Sequence, residues 1–130
     1  MNFLGIKETC IYSENLEEAR NFYHDLLGLP IISYEPDKHI FFRAGASVLL
    51  CFNPESSGKK ESPPAHYGKG KLHFAFEVAS EEYLRVKSEI KNLGIPITDE
   101  VTWANGIESF YFEDPAGNVL EILPESGIWD

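Results

Sequence analysis

The sequence is short of positive charge. Lysine and arginine number 11 against 21 aspartates and glutamates, for a formal charge of −10. Nucleic-acid backbones and anionic membranes are held by basic faces, so neither is expected as a partner. Long apolar runs are missing too: none approaches the ~20 residues that cross a bilayer. The stretch Met1 to Glu8 lacks a basic segment followed by an apolar one. No secretory leader is therefore expected, and the expected location is the cytoplasm. Only two cysteines occur, Cys10 and Cys51, too few for a disulfide framework, and both are expected as reduced thiols. What is there, 130 residues with 43% hydrophobic and 25% charged side chains, has the make-up of one globular domain with a real core.

Within that domain a five-residue phrase occurs twice. Leu27-Gly28-Leu29-Pro30-Ile31 returns as Leu93-Gly94-Ile95-Pro96-Ile97. Each copy closes an amphipathic stretch at helical spacing. The first carries Leu16, Ala19, Phe22, Tyr23, Leu26 and Leu27; the second carries Tyr83, Val86, Ile90 and Leu93, with Leu84 beside them. Asn15 with Glu18 resembles a capping box, and Ser80 before two glutamates is expected as the second N-cap. Gly28 and Gly94 suit the residue just past a helix end, and the prolines that follow stop the helix resuming.

One strand-like run precedes each helix, at 6–12 and at 72–78. Three follow each: 31–34, 39–43 and 47–52, then 97–103, 109–112 and 119–123. Each half therefore reads β-α-β-β-β. The chain is expected to be α+β, with a module over 1–57 and a module over 69–130. A loop of Gly, Pro, Ser and Lys without apolar periodicity joins them. A half of about 60 residues is marginal by itself. The two mixed sheets are expected to curve into a cup with the helices outside.

Side chains alternate along a strand, so parity sorts each face. The most apolar faces belong against the helices. That leaves Glu8, Cys10 and Tyr12 on one cup face, and His73 and Glu121 on the other. The repeat aligns Val48-Leu49-Leu50 with Val119-Leu120-Glu121, so Leu50 is the counterpart of Glu121. A histidine and two carboxylates that converge can hold a divalent ion and leave positions open for substrate. This mixed oxygen and nitrogen set suits Mn, Fe, Ni, Co or Zn.

At these residues the chain resembles the vicinal oxygen chelate superfamily of glyoxalase I, bleomycin-resistance proteins, extradiol dioxygenases and fosfomycin-resistance thiol transferases. The likeness rests on three segments. They are Asn15 to Tyr23 leading to Leu27-Gly28-Leu29, Leu72 to Val78, and Phe110 to Glu121 with its Asp114-Pro115-Ala116-Gly117-Asn118 turn. The resemblance implies a glyoxalase-like fold, a divalent metal ion as cofactor and a homodimer. It assigns His73 and Glu121 as metal ligands and puts Glu8 where many members carry His or Gln. Leu50 stands where glyoxalase I supplies a fourth ligand. The implied function is an enzyme acting on a small molecule by oxygen chelation, of lyase or isomerase type, with Glu121 or Glu8 as general base. The alternatives are a non-catalytic sequestering protein of the bleomycin-resistance type and an iron-dependent dioxygenase.

Other residues are read beside that site. Tyr12, Phe52, Trp103 and Tyr111 are either substrate walls or plain core. His66 either overhangs the cup as a proton-transfer group or is a solvated loop residue. Arg43 either orients an anionic substrate or pairs with an acid such as Glu113, its repeat counterpart. Cys10 is either a metal-activated thiol or a small space-filler. The terminal 127–130 segment is expected to tuck against the other module or another subunit.

Overall fold

A computed structural model gives the protein's structure, and residues 1–129 are described. The chain divides into two compact units, one ending at Leu72 and the next beginning at His73. Among the described residues no helix is long and apolar enough to cross a membrane.

The first unit holds β1 (Glu8–Tyr12), α1 (Leu16–Arg20), β2 (Ile31–Glu35), β3 (His39–Ala44), β4 (Ser47–Phe52) and a short α2 (Pro54–Ser57). Its sheet runs β1-β4-β3-β2, with β1 parallel to β4 and the other pairs antiparallel. The Asn15 side chain accepts from the Glu18 amide and caps α1, as its spacing predicts. Leu16, Ala19, Phe22 and Tyr23 bury themselves against Ile11, Ile40, Phe42, Leu49 and Cys51. That alternation leaves Glu8, Cys10, Tyr12, Phe41, Arg43, Leu50 and Phe52 on the sheet's other face.

The second unit repeats the plan: β5 (His73–Val78), α3 (Tyr83–Asn92), β6 (Asp99–Thr102), β7 (Glu108–Glu113) and β8 (Val119–Pro124), in the order β5-β8-β7-β6. The register is repeated as well. Glu8 stands opposite Val48 as His73 stands opposite Val119, and Cys10 opposite Leu50 as Ala75 opposite Glu121. This is the two-module α+β architecture expected from the repeat. Gly28 and Gly94 both adopt φ of 78°, the left-handed conformation that lets each helix end at its expected residue.

The turn before β8 sets where Glu121 falls. Asp114 accepts from the Ala116 and Asn118 amides and from the Asn118 side chain, each at 2.9 Å, and Asp114 and Asn118 are both buried. Asp114→Ala strands these donors in the interior. It is expected to cost about 2–4 kcal/mol, read as a fall in denaturant midpoint, because buried donors lose a charged acceptor.

Four local expectations change. First, α1 does not continue as an α-helix to Leu27. It passes into a π-helical segment, Asn21–Leu26, with the Leu27 amide bonded to the Phe22 carbonyl. The wider turn shifts the side-chain phase, which leaves Leu26 exposed. Second, Ser80 does not cap α3. It opens a 3-10 turn, and its hydroxyl bonds to Ser126 instead. Third, the joining segment is not all loop, because Asn53 caps α2 through the Glu55 amide. Fourth, the first strand starts at Glu8, and Ile6 is exposed with Phe3 and Leu4. Of the terminal 127–130 segment, Asp130 lies outside the described residues and Trp129 is exposed.

Candidate functional site

In the second unit, β5 and β8 place His73 and Glu121 on one face. The His73 Nδ1 lies 2.9 Å from the Val119 carbonyl oxygen. A carbonyl only accepts, so Nδ1 carries a proton, and in the neutral ring Nε2 keeps its lone pair. That Nε2 lies 3.4 Å from Glu121 Oε2. Glu121 is only 5% exposed, and its other oxygen, Oε1, is buried with no hydrogen-bond partner. A native carboxylate oxygen left this way needs a reason, since an unsatisfied buried polar atom costs about 1–3 kcal/mol.

Tyr111 stands directly across from Glu121 in the β7–β8 register, and its ring tilts toward His73 at 6.0 Å. Burial first, and then the Glu121 carboxylate, push its hydroxyl above the usual phenol range, so it stays protonated. Trp103 closes this side by donating its indole N–H to the Ser109 hydroxyl at 2.9 Å. His73, Trp103, Tyr111 and Glu121, four of the residues singled out from sequence, thus occur together.

Among the described residues no three His, Cys, Asp or Glu side chains are gathered into a group able to hold a metal ion. The pair itself fits two places on one. Two ligands at about 2.0–2.2 Å from a common ion stand roughly 3 Å apart, close to the observed 3.4 Å. The Nε2 lone pair of a neutral His73 and the Glu121 carboxylate are the kind of donors such an ion takes.

In the first unit, Cys10, Tyr12, Phe52 and His66 meet. The Tyr12 hydroxyl lies 2.7 Å from His66 Nδ1, and the Cys10 thiol lies 4.0 Å from the same nitrogen. Burial raises the Cys10 thiol, so it is no ready thiolate. Burial and the neighbouring thiol push the Tyr12 hydroxyl to about 12. His66 rests on Phe52 at 4.5 Å, and Phe52 meets Phe41 at 5.2 Å. Leu50 pairs with Cys10 and Phe41 in register. Glu8 and Arg43 flank Val48 at the far end of this face, and both are exposed.

Two contributors were not singled out from sequence. Ser109 is fully buried and shares Tyr111's strand parity, a signal that could have found it. Lys60 places its ammonium 4.9 Å from the centre of the Phe52 ring. It lies in an aperiodic segment, where sequence offers no such signal.

A paired βαβββ architecture with a histidine and a buried carboxylate on one sheet face defines a class before any comparison. Residues 5–122 match the model of the Glyoxalase/Bleomycin resistance protein/Dioxygenase superfamily, and the chain belongs to that family. It is similar to the crystal structure of a lactoylglutathione lyase from Agrobacterium tumefaciens. That match has 33% identity and a TM-score of 0.90, covering 96% of each chain. A fosfomycin resistance protein, FosX, from Listeria monocytogenes, a mutant form complexed with Mn(II) and 1S,2S-dihydroxypropylphosphonic acid, shares the fold. Its identity is 20% and its TM-score 0.69, over 94% of this chain and 90% of that one. A glyoxalase family protein from Bacillus anthracis also shares the fold, at 22% identity and a TM-score of 0.72, over 95% and 98% of the chains. No curated protein matches the chain.

Proposed function

We propose that the chain is a metal-dependent enzyme acting on a small oxygen-bearing molecule in a lyase- or isomerase-type reaction. His73 and Glu121 are the second unit's ligands for one divalent ion, of Mn, Fe, Ni, Co or Zn. The observation that supports this best is the buried Glu121 carboxylate, with one oxygen unpartnered and the other 3.4 Å from His73 Nε2. When bound, the ion supplies Lewis-acid stabilisation of negative charge on a substrate oxygen.

The chain's own residues have separate tasks. The Val119 carbonyl fixes His73 in the tautomer that presents Nε2. Glu121 would contribute a ligand oxygen, and its carboxylate is the general base that takes a proton from the substrate. Tyr111, held protonated, donates from its hydroxyl next to that carboxylate. Trp103 and Tyr111 present aromatic surface that keeps water from the reacting atoms. The likeness to a lactoylglutathione lyase supports lyase chemistry, and that activity is the first to assay.

The first test is elemental analysis after dialysis from metal-replete buffer. Wild-type chain is expected to retain about one divalent ion, and His73→Ala to lose at least about tenfold in metal affinity, since losing even an outer-shell partner of a ligand costs about that much. Wild-type protein that retains no metal, or equal occupancy in wild type and variant, would sink the reading. A second reading is favoured by the aromatic face of Tyr12, Phe41 and Phe52: a sequestering protein of the bleomycin-resistance type. Tight stoichiometric ligand retention without turnover would select it.

A further inference from the structure

Residues 1–6 have no strand of the first sheet to pair with. β1 runs parallel to β4, with Glu8 opposite Val48, and the Lys7 carbonyl accepts from the Val48 amide at 3.0 Å. β4 starts at Ser47, and the two residues before it, Gly45 and Ala46, turn back from β3. The Lys7 ammonium fastens this end by donating to the Ala46 carbonyl at 2.7 Å. One residue earlier the sheet is over. The six residues before Lys7 run past it as an arm in neither helix nor strand, up to about 20 Å long when extended.

The arm is apolar in a place that faces solvent. Phe3 is 82% exposed, Ile6 83% and Leu4 100%, and Met1 is exposed with them. At the usual areas per side chain these four hold roughly 400 Å² of apolar surface. A continuous patch of that size on a globular domain marks a place where something else sits. A free prolongation of an edge strand is commonly blunted by charge or proline, and residues 1–6 carry neither.

Charge and area select the occupant. Residues 1–7 contain one lysine and no acid, whereas residues 8–130 hold 10 lysines and arginines against all 21 acids. The arm is thus the part of the chain that can approach another copy without setting acid against acid. In a two-fold exchange the same contact is made twice. Two arms, each covering an equal area of the other copy, bury roughly 1,600 Å², the size of a stable interface.

We propose that residues 1–6 are a docking arm, and that the arm of each copy lies on the acidic surface of a second copy. Phe3, Leu4 and Ile6 supply the apolar contact, and Lys7, tied to Ala46, sets where the arm leaves the sheet. The exchange is independent of the metal-dependent reading above, and its test is run in chelator so that the two fail separately.

The test is sedimentation velocity of the full chain from about 0.1 to about 100 μM, a range that spans micromolar dissociation constants. Wild type is expected to be a dimer at micromolar concentration. Leu4→Ser combined with Ile6→Ser should raise the dimer dissociation constant at least about a hundredfold, and Phe3→Ser at least about tenfold. Far-UV circular dichroism should be unchanged in both, because these side chains lie outside the core. Asn2→Glu puts an acid into the arm without removing an apolar group, and should weaken the dimer about tenfold where Asn2→Gln does not. Wild type that stays monomeric across the range overturns the proposal. So does a dimer undiminished in the serine variants, or one equally stable in Asn2→Glu and Asn2→Gln. Flotation with phosphatidylcholine vesicles that is lost in the serine variants would make lipid the occupant, and overturns it as well.

Discussion

Glu121→Met is expected to make the metal-free protein more stable and to abolish stabilisation by metal. The carboxylate is 5% exposed, and one of its oxygens has no partner. Burying a charge this way is costly, and an apolar side chain of similar volume removes that cost. Such replacements return about 1–4 kcal/mol. For a chain of this length that is an increase in Tm of roughly 3–15 °C. The surroundings suit the change in part, because the Tyr111 ring stands directly across from Glu121 and Ala75 lies beside it on the same face. Wild type should instead gain stability with added metal, about 2.7 kcal/mol at a hundredfold excess over Kd. Thermal unfolding with chelator and with Mn²⁺ reads both effects. A variant less stable than wild type in chelator, or one that metal still stabilises, would show that the carboxylate is structural. Glu121→Gln separates charge from shape. It keeps the volume but brings an amide nitrogen into the same unpartnered space, so it should lose the metal effect without the full gain in stability.

The site was legible to the extent that strand parity carries it. Period-two alternation put His73 and Glu121 on one face of their sheet, and Cys10, Tyr12 and Phe52 on one face of theirs, because the helix-facing positions are the more apolar. Ser109 obeys the same alternation; a small hydroxyl in a buried run carries little hydropathy signal, and only its bond from Trp103 shows its use. Local competition decided other positions. Asn15 and Ser80 are both good capping residues, but only Asn15 caps. The Ser80 hydroxyl finds Ser126, 46 residues away, a partner that no local pattern announces. The π-helical segment at Asn21–Leu26 departs from the 3.6-residue period, so the periodicity that located the helix misplaced Leu26. Lys60 and His66 lie in a segment with no periodicity at all. What seats them is contact with Phe52 and Tyr12, which exists only after folding.

Phe42→Ala and Phe112→Ala should each destabilise the whole chain, by similar amounts and in one transition. The repeat makes them counterparts. Phe42 pairs with Leu49 in the first sheet as Phe112 pairs with Leu120 in the second, and both rings are fully buried. Each packs in an aromatic cluster, Phe42 against Tyr23 at 5.4 Å and Phe112 against Phe110 at 6.0 Å. Truncating a buried ring removes its transfer energy and leaves a cavity, together about 3–5 kcal/mol. Against a typical stability of roughly 5–15 kcal/mol this is a large fraction, and Tm should fall by about 10–20 °C. A half of about 60 residues buries too little surface to stand easily alone, so damage to either half should bring down both. Calorimetry decides the matter. One transition in each variant, shifted down by comparable amounts, makes the 130 residues one cooperative unit. A second transition that stays at the wild-type temperature would mean that each repeat carries its own stability, and would overturn the argument from module size.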